Sequence, residues 1–226
     1  MDTAGAATAF RISPETVWRT PANINTEAGH YPRAVKRAFD LAIAIPALIL
    51  LSPLIAVLAL IVRLDSRGPA FFRQTRLGRG GKPFDIVKFR TMTVMENGDC
   101  VVQACENDHR VTRAGRWLRS TSLDELPQLL NVIAGDMSLV GPRPHARCHD
   151  LHYGKLISAY ALRQSVKPGI TGWAQVHGHR GETPTLETMR ARVDLDIWYA
   201  KNASLLLDLE ILLRTPVEVL SARNAH

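Results

Sequence analysis

The sequence contains few cysteines and few aromatic residues, and each shortage excludes a class of protein. Its three cysteines (Cys100, Cys105 and Cys148) form no CxxC pair and leave one over. That pattern argues against a disulfide framework and against a cysteine metal site. Aromatic residues make up only 6% of the chain. Because no aromatic-rich basic segment is present to stack on bases, we expect no nucleic-acid partner.

Residues 1–30 lack the charged start and apolar run of a secretory signal peptide, and they are rich in alanine, threonine and asparagine. We therefore expect a disordered N-terminal tail in this segment. Lysine and arginine outnumber aspartate and glutamate, which gives a formal net charge of +7 and a pI of about 9.7. Such an excess indicates an anionic partner, such as anionic lipid or a phosphorylated substrate.

One long apolar run, Leu41 to Val62, contains no charged residue. As a straight helix it would be about 33 Å long, which is enough to cross a hydrocarbon core. Both of its flanks are basic, however, and the positive-inside rule then favours the cytoplasmic side for both ends. The flanking basic residues are Arg33, Lys36, Arg37, Arg63, Arg67, Arg73 and Arg76.

Ser52 and Pro53 lie in the middle of this run. Pro53 cannot donate a hydrogen bond to the carbonyl of Ile49, whereas the Ser52 hydroxyl can bond back to the helix. A helix-break-helix that enters and leaves by the same leaflet satisfies the proline and both basic flanks. The residues alone leave a kinked spanning helix open, since prolines are common in membrane helices.

After this run, Ala70–Arg76 and Phe84–Arg90 read as two strands joined by a glycine-rich turn, which predicts a strongly basic β-hairpin. Thr93 to His109 is polar and patternless and is predicted to be a variable loop. Met189–Ala200 and Ser204–Arg214 are predicted to be helices, the second of them packed on the core or lying at a membrane interface.

Asp124 and Glu125 are adjacent carboxylates at the predicted start of a helix, which Pro127 places at Leu123 or Asp124. A Ser122–Glu125 capping box is the second choice. The helix dipole should favour the ionised form of Asp124 and attract phosphate. The plainer interpretation is that both carboxylates merely stabilise a first turn.

Longer motifs surround this pair: SLDELPQL at 122–129, GDMSLVGPRP at 135–144, KFRTM at 88–92 and KPGITGWAQV at 167–176. Together they resemble the signature of the bacterial sugar transferases, the monotopic phosphoglycosyl transferases, and the resemblance extends from about Arg37 to Thr215. It implies a mostly helical α+β fold in which a re-entrant, non-spanning helix (31–64, bent at Ser52 and Pro53) joins a small cytosolic catalytic domain (65–226). That domain should carry a short β-hairpin and amphipathic interfacial helices.

The resemblance also implies an activity. Asp124 would attack the sugar-linked phosphorus of a UDP-sugar (UDP-glucose or UDP-galactose), releasing UMP and forming an aspartyl phospho-sugar. Polyprenyl phosphate would then accept the sugar phosphate, as a first membrane step of exopolysaccharide or surface polysaccharide synthesis. Glu125, with Asp124, would hold Mg²⁺. The phosphate- and substrate-binding residues would be Lys88, Arg90, Arg119, Arg143, Lys167, Gln175, Arg180 and Asp196.

The expected location is the cytoplasmic face of a bacterial inner membrane, against anionic inner-leaflet lipid, and a homodimer remains open. Two rival hypotheses are a non-catalytic membrane scaffold of a polysaccharide assembly complex and a membrane-tethered nucleic-acid binder. The intact Asp124–Glu125 pair disfavours the scaffold hypothesis, and the lack of stacking aromatic residues disfavours the nucleic-acid binder. His145, His149 and His152 match no common metal-binding spacing and are predicted to be a polar helix face.

Overall fold

The computed structural model describes residues 32–93, 108–181, 183 and 185–220. The tail predicted for residues 1–30 and most of the predicted variable loop lie outside these residues. Within them the fold is mostly helical α+β, as predicted, with six α-helices, two small sheets and several 3-10 turns. In chain order the elements are α1 (Arg33–Asp65), β1 (Phe71–Leu77), β2 (Pro83–Phe89), α2 (Arg113–Thr121), α3 (Leu129–Ala134), β3 (Ser138–Val140), α4 (Arg147–Leu156), β4 (Gly169–Thr171), α5 (Leu186–Asn202) and α6 (Leu205–Leu220).

Helix α1 is continuous over its 33 residues, so the expected break at Ser52 and Pro53 does not divide it into two helices. The reason is local. The Ser52 hydroxyl donates to the Ile49 carbonyl at 2.8 Å, as the sequence predicted, and so satisfies the acceptor that Pro53 leaves without its backbone donor. Among the described residues, α1 is the one helix long and apolar enough to cross a membrane by length and composition.

One face of α1 packs against the rest of the fold along most of its length. Its buried residues Asp40, Ala44, Leu58 and Val62 share that face. Ala44 joins the main core, and Leu58 and Val62 pack with Phe89 of β2 in a second cluster. The opposite face exposes large apolar side chains, namely Ile45, Ile49, Leu50, Val57, Leu60 and Leu64.

Both ends of α1 are fixed to the same domain by polar contacts. Near its start, the guanidinium of Arg37 donates to the carbonyls of Val132 and Ile133 at 2.5 and 2.6 Å, at the end of α3. Just past its end, Arg90 after β2 donates to the carbonyl and hydroxyl of Ser66 at 2.5 and 2.9 Å. The folded domain thus bridges the two ends of the apolar run.

Strands β1 and β2 form the predicted antiparallel hairpin, with bounds within one residue of those expected. The side chain of Asn131 in α3 ties this hairpin to the next part of the chain. Its Oδ1 accepts from the backbone N–H of Val87 at 2.9 Å, and its Nδ2 donates to the carbonyl of Asp85 at 2.7 Å. Since α3 continues directly from the segment that carries Asp124 and Glu125, these bonds hold that segment beside β2.

Strands β3 and β4 are parallel and so close that side chains at their glycines would collide with backbone. A Cβ on Gly141 would lie 2.3 Å from the carbonyl oxygen of Lys167, and one on Gly169 would lie 2.1 Å from the amide nitrogen of Gly141. Gly169 thus serves strand-to-strand packing, and the pairing fixes the start of the loop that carries Arg143.

The two predicted C-terminal helices are confirmed as α5 and α6, and both are longer than expected. Tyr199 joins them to the core, because its hydroxyl donates to Asp208 at 2.7 Å and lies 3.1 Å from the carbonyl of Val140. The opposite side of α6 is apolar and exposed. Its exposed apolar residues are Leu206, Leu209, Leu213 and Val217.

Candidate active site

The segment that carries the carboxylate pair is a 3-10 helix, Leu123–Gln128, and not the first turn of an α-helix. Ser122 precedes it with φ +58°, in the left-handed region, and its side chain makes no capping bond. The capping box is therefore wrong. A serine in this conformation is costly unless its surroundings hold it there, and such strain is concentrated at functional sites.

Glu125 is buried and held by two cations. Lys88 Nζ lies 2.9 Å from its Oε1, and the Arg143 guanidinium donates to Oε2 at 3.0 Å and to Oε1 at 2.5 Å. Burial by itself would raise the pKa of Glu125, but the charges of Arg143 and then Lys88 outweigh it and bring the pKa well below its usual range. Glu125 is thus stabilised as an anion, and its bonds orient Lys88 and Arg143.

Asp124 is partly exposed, and its pKa is shifted in the opposite direction from that of Glu125. Burial and then the adjacent Glu125 charge raise the pKa of Asp124 to about 6, against the pull of Lys88 and Arg143. The expectation that a helix N-terminus would favour the ionised form is therefore wrong, because burial and the adjacent Glu125 charge both disfavour that form. At pH 7 the carboxylate is still mostly ionised, and its raised pKa makes it a stronger base and nucleophile.

Three more of the predicted binding residues lie around this pair. Arg119 lies close enough to Asp124 for its charge to lower the pKa of that carboxyl. The charges of Glu125 and Asp124 likewise offset part of the lowering of the Arg180 pKa by burial. Gln175 and Arg180 line the same cavity as Glu125. Burial lowers the pKa of Lys88. Within the described residues, the site thus has four cationic side chains around two carboxylates, in a partly closed space. This excess of positive charge suits phosphate groups. The four cationic residues are Lys88, Arg119, Arg143 and Arg180.

Three other predicted binding residues have different surroundings. Arg90 donates to acceptors at the end of α1 and contributes to its anchoring. Burial and then the nearby charges of Arg37 and Arg79 lower the pKa of Lys167, which lies near the start of α1. Asp196 is buried and accepts from Arg163 at 2.8 and 2.9 Å. The structure does not bring these three to the carboxylate pair.

Sequence reasoning missed the support behind Arg143. Arg163 Nη2 donates to the Arg143 carbonyl at 2.6 Å, and its guanidinium is held by Asp196 at 2.8 Å and Asp150 at 3.6 Å. Tyr160 donates to Asp150 at 2.7 Å. The partners of Arg163 are far apart in sequence and belong to no shared motif, so no pattern could have found them.

The three histidines form no metal site. His145 is buried and precedes α4, so the predicted polar helix face is wrong for this residue. Its Nδ1 lies 2.6 Å from the Tyr160 hydroxyl, within the Arg163 network. His149 and His152 both meet the ring of Tyr153 edge-on. Across the residues that the structure describes, no group of three or more His, Cys, Asp and Glu side chains could hold a metal ion.

The carboxylate pair still has the donors that Mg²⁺ requires from a protein in a phosphate-transfer site. This ion uses one or two carboxylates and takes its other ligands from substrate phosphates and water. Asp124 is partly exposed, and Oε2 of Glu125 accepts one hydrogen bond, from Arg143, which leaves that oxygen a second lone pair. The two residues therefore fit a Mg²⁺ ion brought in with a diphosphate substrate.

Comparison with known proteins shows the family of this chain. Residues 31–222 match the bacterial sugar transferase family. The chain is 54% identical over 183 residues, 81% of its length, to the UDP-glucose:undecaprenyl-phosphate glucose-1-phosphate transferase of Escherichia coli, and 54% identical over 191 residues, 84% of its length, to the protein of that name in Klebsiella pneumoniae. It is 53% identical over 191 residues, 84% of its length, to the Caulobacter vibrioides protein of the same name.

These matches cover 39% and 41% of the first two relatives and 72% of the third, so the chain spans about two fifths of the length of the E. coli and Klebsiella proteins. The match to the family extends from the start of α1 to the end of α6, and it includes the carboxylate pair and both basic residues that hold it. The chain belongs to the bacterial sugar transferase family.

Proposed function

We propose that this protein transfers a hexose-1-phosphate from a UDP-sugar to polyprenyl phosphate through a covalent intermediate on Asp124. The observation that carries the proposal is the division of roles within the pair. Glu125 is fixed in bonds to Lys88 and Arg143, whereas Asp124 keeps part of its surface exposed and has a raised pKa. A nucleophile must reach its substrate, and Asp124 is the carboxylate left accessible.

In the first step an Asp124 carboxylate oxygen attacks the sugar-linked phosphorus of the UDP-sugar. A new O–P bond forms, the bond from that phosphorus to the bridging oxygen breaks, and UMP leaves with that oxygen and its electron pair. Negative charge on the transferring phosphate is met by Arg143 and Lys88, whose positions Glu125 fixes before substrate arrives. Arg119 and Arg180 supply further positive charge nearby.

In the second step an oxygen of polyprenyl phosphate attacks the same phosphorus. The Asp124 O–P bond breaks, the carboxylate returns, and the product is a sugar linked to the lipid by a diphosphate. A Mg²⁺ ion held by Asp124 and Glu125 would neutralise phosphate charge as a Lewis acid. UDP-glucose is the first donor to test, since the relatives above are named for glucose-1-phosphate transfer, and UDP-galactose is the second.

The position of α1 supports a monotopic arrangement on the cytoplasmic face of the membrane. A helix that spanned the bilayer would place its ends on opposite sides of about 30 Å of hydrocarbon. In this protein both ends contact one domain, through Arg37 and Arg90. Together with the basic flanks, this contact favours an arrangement in which both ends of α1 stay on one side of the membrane and its exposed apolar face lies in lipid.

The activity is tested by incubating purified protein with undecaprenyl phosphate, Mg²⁺ and a panel of UDP-sugars, with UMP release as the measurement. We expect release that depends on one hexose donor. A protein that binds the membrane but releases no UMP with any donor would support the scaffold hypothesis instead.

The membrane arrangement is tested by a cysteine introduced at Thr20, in a background without the three native cysteines, and labelled with a membrane-impermeant reagent. Labelling should require that the cells be opened. Labelling in intact cells would show that α1 spans the membrane.

A further inference from the structure

A cavity of about 250 Å³ adjoins the candidate active site, and the apolar part of its lining has no role in either step above. It lies between α1 and the C-terminal half of α6, and Glu125 is among the residues that line it. Most of its lining is apolar. The apolar residues that matter most to the argument are Ala47, Leu51, Leu126, Leu129, Leu212 and Val219.

The two helices that bound this cavity also carry much of the exposed apolar surface of the described residues. Leu50 and Leu64 of α1 are 80% and 78% exposed, and Leu206 and Leu213 of α6 are 80% and 76% exposed. Exposed apolar surface of this extent indicates contact with lipid or with another apolar partner. An apolar chain could therefore pass from a bilayer into the cavity along apolar surface.

The polar part of the lining contains atoms that lack partners. Ser122 Oγ, Gln175 Oε1 and Arg180 Nη1 are buried, and within the described residues none of the three has a hydrogen-bond partner. A buried polar atom left unpaired costs about 1 to 3 kcal/mol, so such atoms are rare without a ligand or water. The hydroxyl of Ser122 and the guanidinium of Arg180 are donors, and a phosphate would satisfy both.

A ligand for this cavity thus needs an apolar chain and an anionic group that reaches the carboxylate pair. We propose that the cavity is the acceptor site: it binds the phosphate of polyprenyl phosphate at Ser122 and Arg180 and its first isoprene units between α1 and α6. The remaining chain is too large for the cavity and lies along the exposed apolar faces of the two helices. This inference rests on the proposed function, which defines the acceptor.

The test fills the cavity from both helices. Ala47→Phe and Val219→Phe place a ring in the cavity from α1 and α6, and each has a matched control. Ala56→Phe makes the same change on an exposed part of α1, and Val217→Phe does so at a 70% exposed position of α6. For each variant two quantities are measured: the KM for undecaprenyl phosphate, and the single-turnover release of UMP from the UDP-sugar without acceptor.

The cavity variants should raise the KM for undecaprenyl phosphate at least fivefold and leave single-turnover UMP release within twofold of the unmodified protein. Both controls should stay within twofold in both measurements. An unchanged KM in both cavity variants, or a loss equal in the two measurements, would overturn the acceptor site.

Failure of the proposed function gives a different result, because the unmodified protein would then release no UMP from any donor. In that case direct binding of undecaprenyl phosphate to the unmodified protein and to Ala47→Phe decides the question. Weaker binding by the variant would support the site, and equal binding would exclude it.

Discussion

Two clusters of buried charge lie on either side of Arg143. They differ in their exposure to solvent and in the balance between positive and negative charge. In the Arg163 cluster the side chains of Arg163, Asp150 and Asp196 are 1 to 3% exposed, and two carboxylates face one guanidinium. In the active-site cluster the side chains of Glu125, Lys88 and Arg143 are 11, 18 and 26% exposed, and cations are in excess.

The difference indicates what each cluster does. Charges that are buried and paired with one another can fix the backbone, and the Arg163 cluster fixes the carbonyl of Arg143. Charges that remain accessible and unbalanced can accept an anionic ligand. Breaking the active-site cluster should therefore remove activity without unfolding the protein, whereas breaking the Arg163 cluster should lower stability first.

The largest expected effect is that of Asp124→Asn. The variant keeps the shape of the side chain but has no nucleophilic carboxylate, so turnover should fall to background. Because the environment already disfavours the ionised form of Asp124, the free energy of unfolding at pH 7 should be unchanged or higher. Asp194→Asn, at an exposed position of α5, is the control and should keep full activity. Substantial turnover by Asp124→Asn would rule out covalent catalysis by this residue.

Arg143→Lys should cost at least tenfold in turnover. The substitution keeps the charge but removes the planar fork that contacts both oxygens of Glu125, whereas Lys88 contacts one. Lys88→Arg should therefore cost less. Arg214→Lys, at a half-exposed position paired with Glu210, is a control that should have little effect. Equal and small losses for Arg143→Lys and Lys88→Arg would place Arg143 outside the phosphate site.

The pKa of Asp124 predicts a pH dependence. The Asp124 carboxyl group can attack phosphorus only when it is deprotonated. Because its pKa is about 6, its ionised fraction falls about tenfold between pH 7 and pH 5. Single-turnover UMP release without acceptor should follow this fall. Omitting the acceptor matters, because a phosphate monoester itself titrates near pH 6. A rate that stays constant down to pH 5 would contradict the raised pKa.

The smallest expected effect on chemistry comes from the Arg163 cluster. Burial raises the pKa of Asp196 as it does that of Asp124, but Asp196 also accepts two bonds from the buried guanidinium of Arg163. Asp196→Asn leaves that guanidinium with one fewer counter-charge, which should lower the free energy of unfolding by about 3 kcal/mol. Chemical denaturation measures this change. Asp194→Asn, the same substitution on the exposed side of α5, should change it by less than about 0.5 kcal/mol. A loss of activity in Asp196→Asn without any loss of stability would instead indicate a direct role in substrate binding.

Local signals in the sequence predicted local features well. Turn residues placed the β1–β2 hairpin within one residue, and the lack of a donor at Pro53 predicted the bond from Ser52 to Ile49. The motif resemblance named Lys88 and Arg143 together with Asp124 and Glu125, and the structure brings both basic side chains to Glu125. Features that depend on distant partners were not predictable: Arg90 meets the end of α1 across 24 residues of chain, and Arg163 meets Asp196 across 33.

The account depends above all on a covalent sugar phosphate on Asp124, and intact-protein mass measures it directly. Protein incubated with Mg²⁺ and the accepted UDP-sugar, without polyprenyl phosphate, should gain the mass of one hexose phosphate. Addition of undecaprenyl phosphate should remove that mass, and Asp124→Asn should never acquire it. An unmodified protein that turns over but gains no mass, or an Asp124→Asn variant that gains it, would contradict the account.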